Sequence, residues 1–141
     1  MTYQDALAFL EANHNAVVMS TRRDGAAQMS IVTSGVYGGG VAFTTTAGRA
    51  KLANLKRDPR CTILVARPDW SRYVVVEGTA DVRWSGGSDP ELLRTTLREV
   101  YRAASGRDHP DWDEYDRAMV EHRRAAVIVM PERVYGAGVG T

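Results

Sequence analysis

The stretch Thr44-Thr-Thr-Ala-Gly-Arg-Ala-Lys-Leu-Ala-Asn-Leu-Lys-Arg-Asp-Pro-Arg60 lies between two β-type runs, Gly40 to Phe43 and Cys61 to Ala66. It joins a strand, a hydroxyl-rich turn and a short helix that opens with Arg49 and Lys51. A helix N-terminus offers unpaired N–H groups and the positive end of the macrodipole, which suit an anion. Arg49 adds a bidentate fork and Lys51 a point charge, a pairing that suits phosphate. Leu52 and Leu55 give the helix one apolar edge, and Asp58-Pro59 ends it. The competing reading is a solvated basic face, since cations at a helix start oppose the dipole. There is no Gly-x-x-x-x-Gly-Lys-Ser/Thr run, so this is not a Walker loop. Spacing alone carries the stretch as far as a candidate anion site.

The 141 residues suit one domain, 1–141, with a sizeable core. A formal net charge of +1 provides no global field toward nucleic acid or membrane. A single cysteine, Cys61, excludes an intrachain disulfide and a cysteine metal cluster, and its apolar setting makes it a small buried hydrophobe. No apolar run reaches membrane-spanning length and the opening residues lack a signal peptide's pattern, so the expected location is cytoplasmic. Arginine dominates the basic residues; lysine occurs only at 51 and 56.

Outward from the central stretch, the chain alternates strands with a few helices. Thr2 and Asp5 form a capping-box start for a helix carrying Tyr3, Leu7 and Leu10 on one face. Ala16 to Arg22 reads as a strand, Asp24-Gly25 as a hairpin turn and Ala26 to Val36 as the partner strand. In that partner, Ala27, Met29, Ile31 and Thr33 share one face, and Gln28, Ser30, Val32 and Ser34 the other. A strand with a small polar side suits a ligand floor; the alternative is a sheet with one face in water. Gly38-Gly39-Gly40 turns the chain into the strand Val41 to Thr45.

Cys61 to Ala66 is apolar on both faces, the pattern of a central strand. A loop, Arg67 to Arg72, leads to a long strand, Tyr73 to Val82, in which Gly78 marks a bulge or a close backbone approach. Three settings suit Trp70 in that loop: over a flat ligand, under the loop, or at a subunit contact. Ser88-Asp-Pro-Glu91 reads as a second capping box before an apolar stripe of Leu93, Leu97, Val100, Tyr101 and Ala104. Asp111 with Glu114 opens another short helix rather than a metal site, and His122-Arg-Arg124 ends it with positive charge. The last strand is Ala125 to Met130, stopping at Pro131. The run Gly136-Ala-Gly138-Val-Gly140 superficially resembles a dinucleotide fingerprint but lacks the following helix. Six strands with short turns and peripheral short helices predict a β-rich α+β fold, a six-stranded antiparallel barrel.

The order helix, hairpin, strand, Thr-Thr-x-Gly-Arg-x-Lys-x-x-Asn-Leu-x-x-Asp-Pro-Arg, central strand, then Trp-x-x-Tyr-Val-Val-Val-Glu-Gly-Thr-Ala resembles the flavin/deazaflavin split-barrel oxidoreductases, the superfamily of pyridoxamine 5'-phosphate oxidase. More narrowly, it is similar to the actinobacterial branch that uses coenzyme F-420, a phosphate-bearing 8-hydroxy-5-deazaflavin. The resemblance spans about Tyr3 to Gly136 and is most specific over residues 44–60. It implies an FMN-binding type of split barrel and a homodimer with two cofactor clefts at the subunit interface. It assigns Arg49 and Lys51 to the cofactor phosphate, with Thr45 and Thr46 nearby. Gln28 and Ser30 would face the ring system, Val32 would add apolar contact, and Trp70 and Arg72 would lie near the cofactor's edge or tail, from the same chain or its partner. The implied activity is hydride transfer to a flat conjugated acceptor such as an enone, a quinone or a biliverdin-like tetrapyrrole.

The residues name no general acid, since His14, His109 and His122 fall at helix ends or in an acidic loop. Two other functions share these features: an FMN-dependent oxidoreductase of the same fold, and a non-catalytic protein that holds a cofactor or tetrapyrrole. No metal and no nucleic acid is expected.

Overall fold

The computed structural model describes residues 1–138; Val139, Gly140 and Thr141, and with them the end of the glycine run, lie outside the described residues. Among the described residues the chain forms helices α1 (Tyr3–Ala12), α2 (Ala50–Arg57), α3 (Pro90–Ser105) and α4 (Trp112–Glu121). The strands are β1 (Asn15–Thr21), β2 (Ala27–Thr33), β3 (Gly35–Tyr37), β4 (Gly40–Thr46), β5 (Arg60–Ala66), β6 (Tyr73–Arg83) and β7 (Arg124–Ala137). All pair antiparallel in one curled sheet of order β2-β1-β5-β6-β7-β4-β3.

Seven strands, rather than the expected six, follow from a break in the run 26–36. At Ser34 the chain leaves one edge of the sheet and enters the other, so β2 and β3 are neighbours in sequence and opposite ends of the strand order. Ser34 is buried, its N–H donates to the His14 carbonyl (2.8 Å), and His14 Nδ1 donates to the Ser34 carbonyl (2.8 Å). Buried backbone groups must find partners, and here a histidine supplies one where the ladder stops. The sheet is thereby curled into a half-barrel with a seam between β2 and β4.

The inner face holds the larger core. Phe43, Ile63, Val76 and Val127 are fully buried there, each contributing about 1.5–3 kcal/mol from removal of apolar surface from water. The helix α1 closes one end with Ala6 and Leu10, started by the expected capping box: Asp5 N–H donates to Thr2 Oγ1 (3.1 Å) and Thr2 N–H to Asp5 Oδ2 (2.8 Å). A second cluster lies outside the sheet, where Leu97, Val100 and Tyr115 of α3 and α4 cover Ala42, Ala126 and Ile128.

Two boundaries differ from the sequence expectation. The cap of α3 is Asp89, whose carboxylate accepts from Leu92 N–H (3.1 Å), with Pro90 in the first turn; the Ser88 hydroxyl instead accepts from Trp84 N–H (3.2 Å). The last strand does not stop at Pro131 but continues to Ala137. Its register against β6 shifts between Glu77 and Gly78, so Gly78 opposes Pro131 and Glu77 opposes Arg133. The residue left over is Glu132, so the bulge sits next to Pro131, which has no N–H to give the ladder. A Cβ on Gly78 would lie 1.8 Å from the Met130 carbonyl oxygen. Gly78→Ala should therefore force the two strands apart and cost about 1–3 kcal/mol, read as a lower urea midpoint with an unchanged slope; an unaltered midpoint would show that this close approach is dispensable.

Candidate functional site

The seam opens into a cleft of about 540 Å³. From β2 come Ser30 and Val32, from the end of β4 the threonines 44–46, from the start of α2 Arg49 and Lys51, and from the first residue of β7 Arg124. The alternation of β4 turns Val41 and Phe43 into the inner core, and Thr45 follows them, 2% exposed. Register opposes Thr46 to Arg124 across β4 and β7, which brings the arginine to the turn where α2 begins.

The electrostatics of this cleft are one-sided. Among the described residues, none of Arg49, Lys51 and Arg124 joins an ion pair, and no carboxylate lines the cleft. The Lys51 ammonium is held below the ordinary lysine value of 10.5, first by desolvation and then by repulsion from Arg49 and Arg124. Three buried polar atoms lack hydrogen-bond partners among the described residues: Ser30 Oγ, Thr45 Oγ1 and Arg124 Nε. All three belong to residues of this cleft. Buried polar atoms are almost always paired, so two hydroxyls and a guanidinium N–H left over beside two more cations describe a site for an oxygen-rich anion. No side chain caps α2 and no acid stands in its first turn, which leaves the helix start facing the same anion.

The expected residues divide into those this cleft gathers and those it does not. Ser30, Val32, Thr45, Thr46, Arg49 and Lys51 line it together, and the Thr46 hydroxyl accepts from Arg49 Nε (3.3 Å). Gln28 lies on the same face of β2 but outside the lining; its Oε1 accepts from the Ser20 hydroxyl (3.1 Å), which accepts from Asn54 of α2 (3.4 Å). Trp70 and Arg72 stand at the far end of the β6–β7 ribbon, where Tyr73 pairs with Ala137, whereas the cleft adjoins the Arg83–Ala126 end. One chain does not bring them to its own cleft. Trp70 is 64% exposed and holds a positive φ of 63°.

Sequence reasoning missed Arg124. It read the arginine as the charged end of α4, although α4 stops at Glu121 and Arg124 begins β7. The available signal was a cation at the start of a strand; its pairing with β4 is tertiary.

A sequence model of the family described as pyridoxamine 5'-phosphate oxidase matches residues 3–137. Among solved structures, a conserved hypothetical protein from Mycobacterium tuberculosis is similar over 96% of this chain and 84% of its own, with 22% identity and a TM-score of 0.78. An F-420 reductase is similar over 91% of this chain and 94% of its own, at 24% identity and a TM-score of 0.65. A pyridoxamine 5'-phosphate oxidase-related, FMN-binding protein from Nostoc punctiforme is 12% identical over 96% of this chain and 83% of its own, with a TM-score of 0.69.

The depressed Lys51 pKa sets a pH dependence. Lys51 discharges below the ordinary lysine range, so affinity for inorganic phosphate should fall as pH rises through the alkaline window beneath 10.5. Lys51→Arg, whose guanidinium stays charged, should hold its affinity across that window in a calorimetric titration. Identical pH profiles for the two proteins would remove Lys51 from the site.

Proposed function

The chain belongs to the pyridoxamine 5'-phosphate oxidase family, and from that membership we propose that it is a coenzyme F-420-dependent reductase passing hydride to a flat conjugated acceptor. The observation that carries this reading is the seam cleft, in which three cations without an ion pair among the described residues meet the Ser30 and Thr45 hydroxyls, likewise unpartnered there. That set of donors matches a phosphate group, by which a deazaflavin cofactor or flavin mononucleotide would be anchored. When bound, the reduced deazaflavin supplies a low-potential hydride.

The chain's own residues bind, orient and shield. Arg49, Lys51, Arg124 and Thr45 would hold the phosphate and so would anchor the cofactor at the seam. Val32 offers an apolar contact and Ser30 a hydroxyl along the polar face of β2, which points inward and is half-buried. Fixing a ring between a charged anchor and a strand face converts the transfer into a reaction between positioned partners. The ionisable groups that line the cleft are all cations.

FMN is the second reading, since its phosphate would meet the same donors and one structural neighbour is described as FMN-binding. Parallel fluorescence titrations with coenzyme F-420 and FMN separate the two. Tighter binding of the deazaflavin, followed by turnover of enone or quinone acceptors with its reduced form, supports the proposal. Preference for FMN moves the protein to the flavin chemistry, and binding without turnover of any acceptor leaves a carrier.

The homodimer implied by the resemblance is also part of this proposal. On β2 the apolar side faces out: Ile31 is 82% and Met29 62% exposed on an edge strand. Large apolar side chains on a sheet edge are normally covered, and a second copy would also be the only source of Trp70 or Arg72 for a cleft.

Lys51→Ala should weaken cofactor binding by about 1.5–3 kcal/mol, the scale of a charged hydrogen bond, with no loss of fold stability, since repulsion from Arg49 and Arg124 is relieved; wild-type affinity would contradict the anchor. Ser30→Leu removes one anchor hydroxyl and obstructs the ring, so it should weaken the cofactor more than inorganic phosphate, which keeps Arg49, Lys51, Arg124 and Thr45. Ile31→Asp should give a monomer by sedimentation at concentrations where the parent protein is a dimer. A dimer that survives the change would place the interface elsewhere.

A further inference from the structure

A second cleft, of about 370 Å³, lies against the anion site and shares Thr33, Thr44 and Arg124 with it. Its remaining wall is built by α3 and α4, chiefly Val100, Tyr101, Ala104, Tyr115 and Met119. The volume falls within the roughly 300–1,000 Å³ of small-molecule pockets, whose usual make-up is an apolar lining with a few placed polar groups. The lining is held rigidly. Tyr115 donates its hydroxyl to the Leu97 carbonyl (2.8 Å), and its ring meets Tyr101 edge-on at 5.2 Å. Burial pushes the Tyr115 phenol up to about 12, so it stays neutral.

Arg124 supplies the placed polar group. Its Nε is buried without a partner among the described residues, and three nearby acids are taken by other arginines: Asp116 of α4 by Arg98 (2.9 Å), Asp108 of the connecting loop by Arg102 (2.6 Å) and Glu99 of α3 by Arg102. Arg124 thus borders both of these clefts, which differ in character, and a third that is lined also by Glu91 and Asp116. On one side it joins Arg49 and Lys51, which suits a multiply charged phosphate. On the other it is the one charged group among the described lining residues, with Thr33, Thr44 and Ser105 beside apolar and aromatic walls. A single planar guanidinium in such surroundings matches a single planar carboxylate, and the walls match a flat apolar body.

We propose that the α3/α4 cleft seats the hydride acceptor, and that this acceptor is a flat, apolar molecule carrying a carboxylate that pairs with Arg124. The inference rests on the reading of the neighbouring cleft as the cofactor's phosphate site. It requires the acceptor to be amphipathic, so neutral enones and quinones lacking an acid group are poorer ligands. Ala104, small and half-buried, leaves room that a larger residue would fill.

The test uses 2-naphthoate and its neutral isostere 2-naphthamide as fluorescent probes, with inorganic phosphate as the probe of the anion cleft. The unaltered protein should bind the acid about tenfold or more tighter than the amide, the scale of one charged hydrogen bond. Arg124→Gln should abolish that preference and leave the amide's affinity as it was. Ala104→Phe should weaken both naphthyl probes while phosphate binding remains unchanged. Equal affinity for acid and amide in the unaltered protein, or undiminished naphthoate binding by a folded Ala104→Phe protein, would overturn the assignment; the acid–amide comparison needs no variant and so does not depend on one folding. Phosphate binding that ignores Lys51→Ala, alongside the expected naphthyl results, would overturn the phosphate reading alone.

Discussion

The break in the ladder at Ser34 is the constraint on which the rest depends. A continuous strand over 26–36 would pair along its length and close the sheet, leaving no opening beside β4. Instead one residue carries the chain from the first strand of the sheet order to the last, and the pair of hydrogen bonds between His14 and Ser34 satisfies the backbone at that point. The seam lies where β2 and β4 face each other without a ladder. Ligand-binding positions commonly occur where regular pairing gives out, and here the end of β4, the start of α2, the start of β7 and the polar face of β2 converge on that seam.

Gathering Arg49, Lys51 and Arg124 at one place works against the folded state. Their mutual repulsion and the desolvation of Lys51 lower its pKa. The folded chain therefore binds this proton less readily than the unfolded chain, and the group's contribution to stability is restored only as pH rises through the window up to the ordinary value of 10.5. The Ser30 and Thr45 hydroxyls, without partners among the described residues, add a desolvation cost. An anion relieves all of these at once, so phosphate binding should also stabilise the fold by mass action. The arrangement is understandable as a site built for its ligand rather than for the chain alone.

Much of this was legible in the sequence because it is local. The capping box at Thr2, the turn at Asp24-Gly25, the bulge at Gly78 and the apolar stripe on α3 each depend on neighbouring residues, and each appears where it was expected. The stretch 44–60 likewise placed Thr45, Arg49 and Lys51 together, since strand, turn and helix follow without interruption. The departures have tertiary causes. Nothing near Ser34 declares a strand change, because its partner His14 is twenty residues away in a different element. Pro131 reads as a stop until the register of β6 shows a bulge that accommodates it. Arg124 looked like a helix terminus because its role comes from pairing with Thr46. The sidedness of β2 was also tertiary: alternation separated Met29 and Ile31 from Ser30 and Val32, but only the curl turned the polar set inward.

The central claim is that the seam cleft holds the phosphate of a tricyclic redox cofactor. The most direct measurement is a calorimetric comparison of coenzyme F-420 with the same deazaflavin lacking its phosphate. If three cations and two free hydroxyls are the anchor, loss of the phosphate should weaken binding by roughly a hundredfold or more, the sum of at least two charged hydrogen bonds. Equal affinity for the two compounds would mean that the ring binds without the anchor and that the cleft serves another anion.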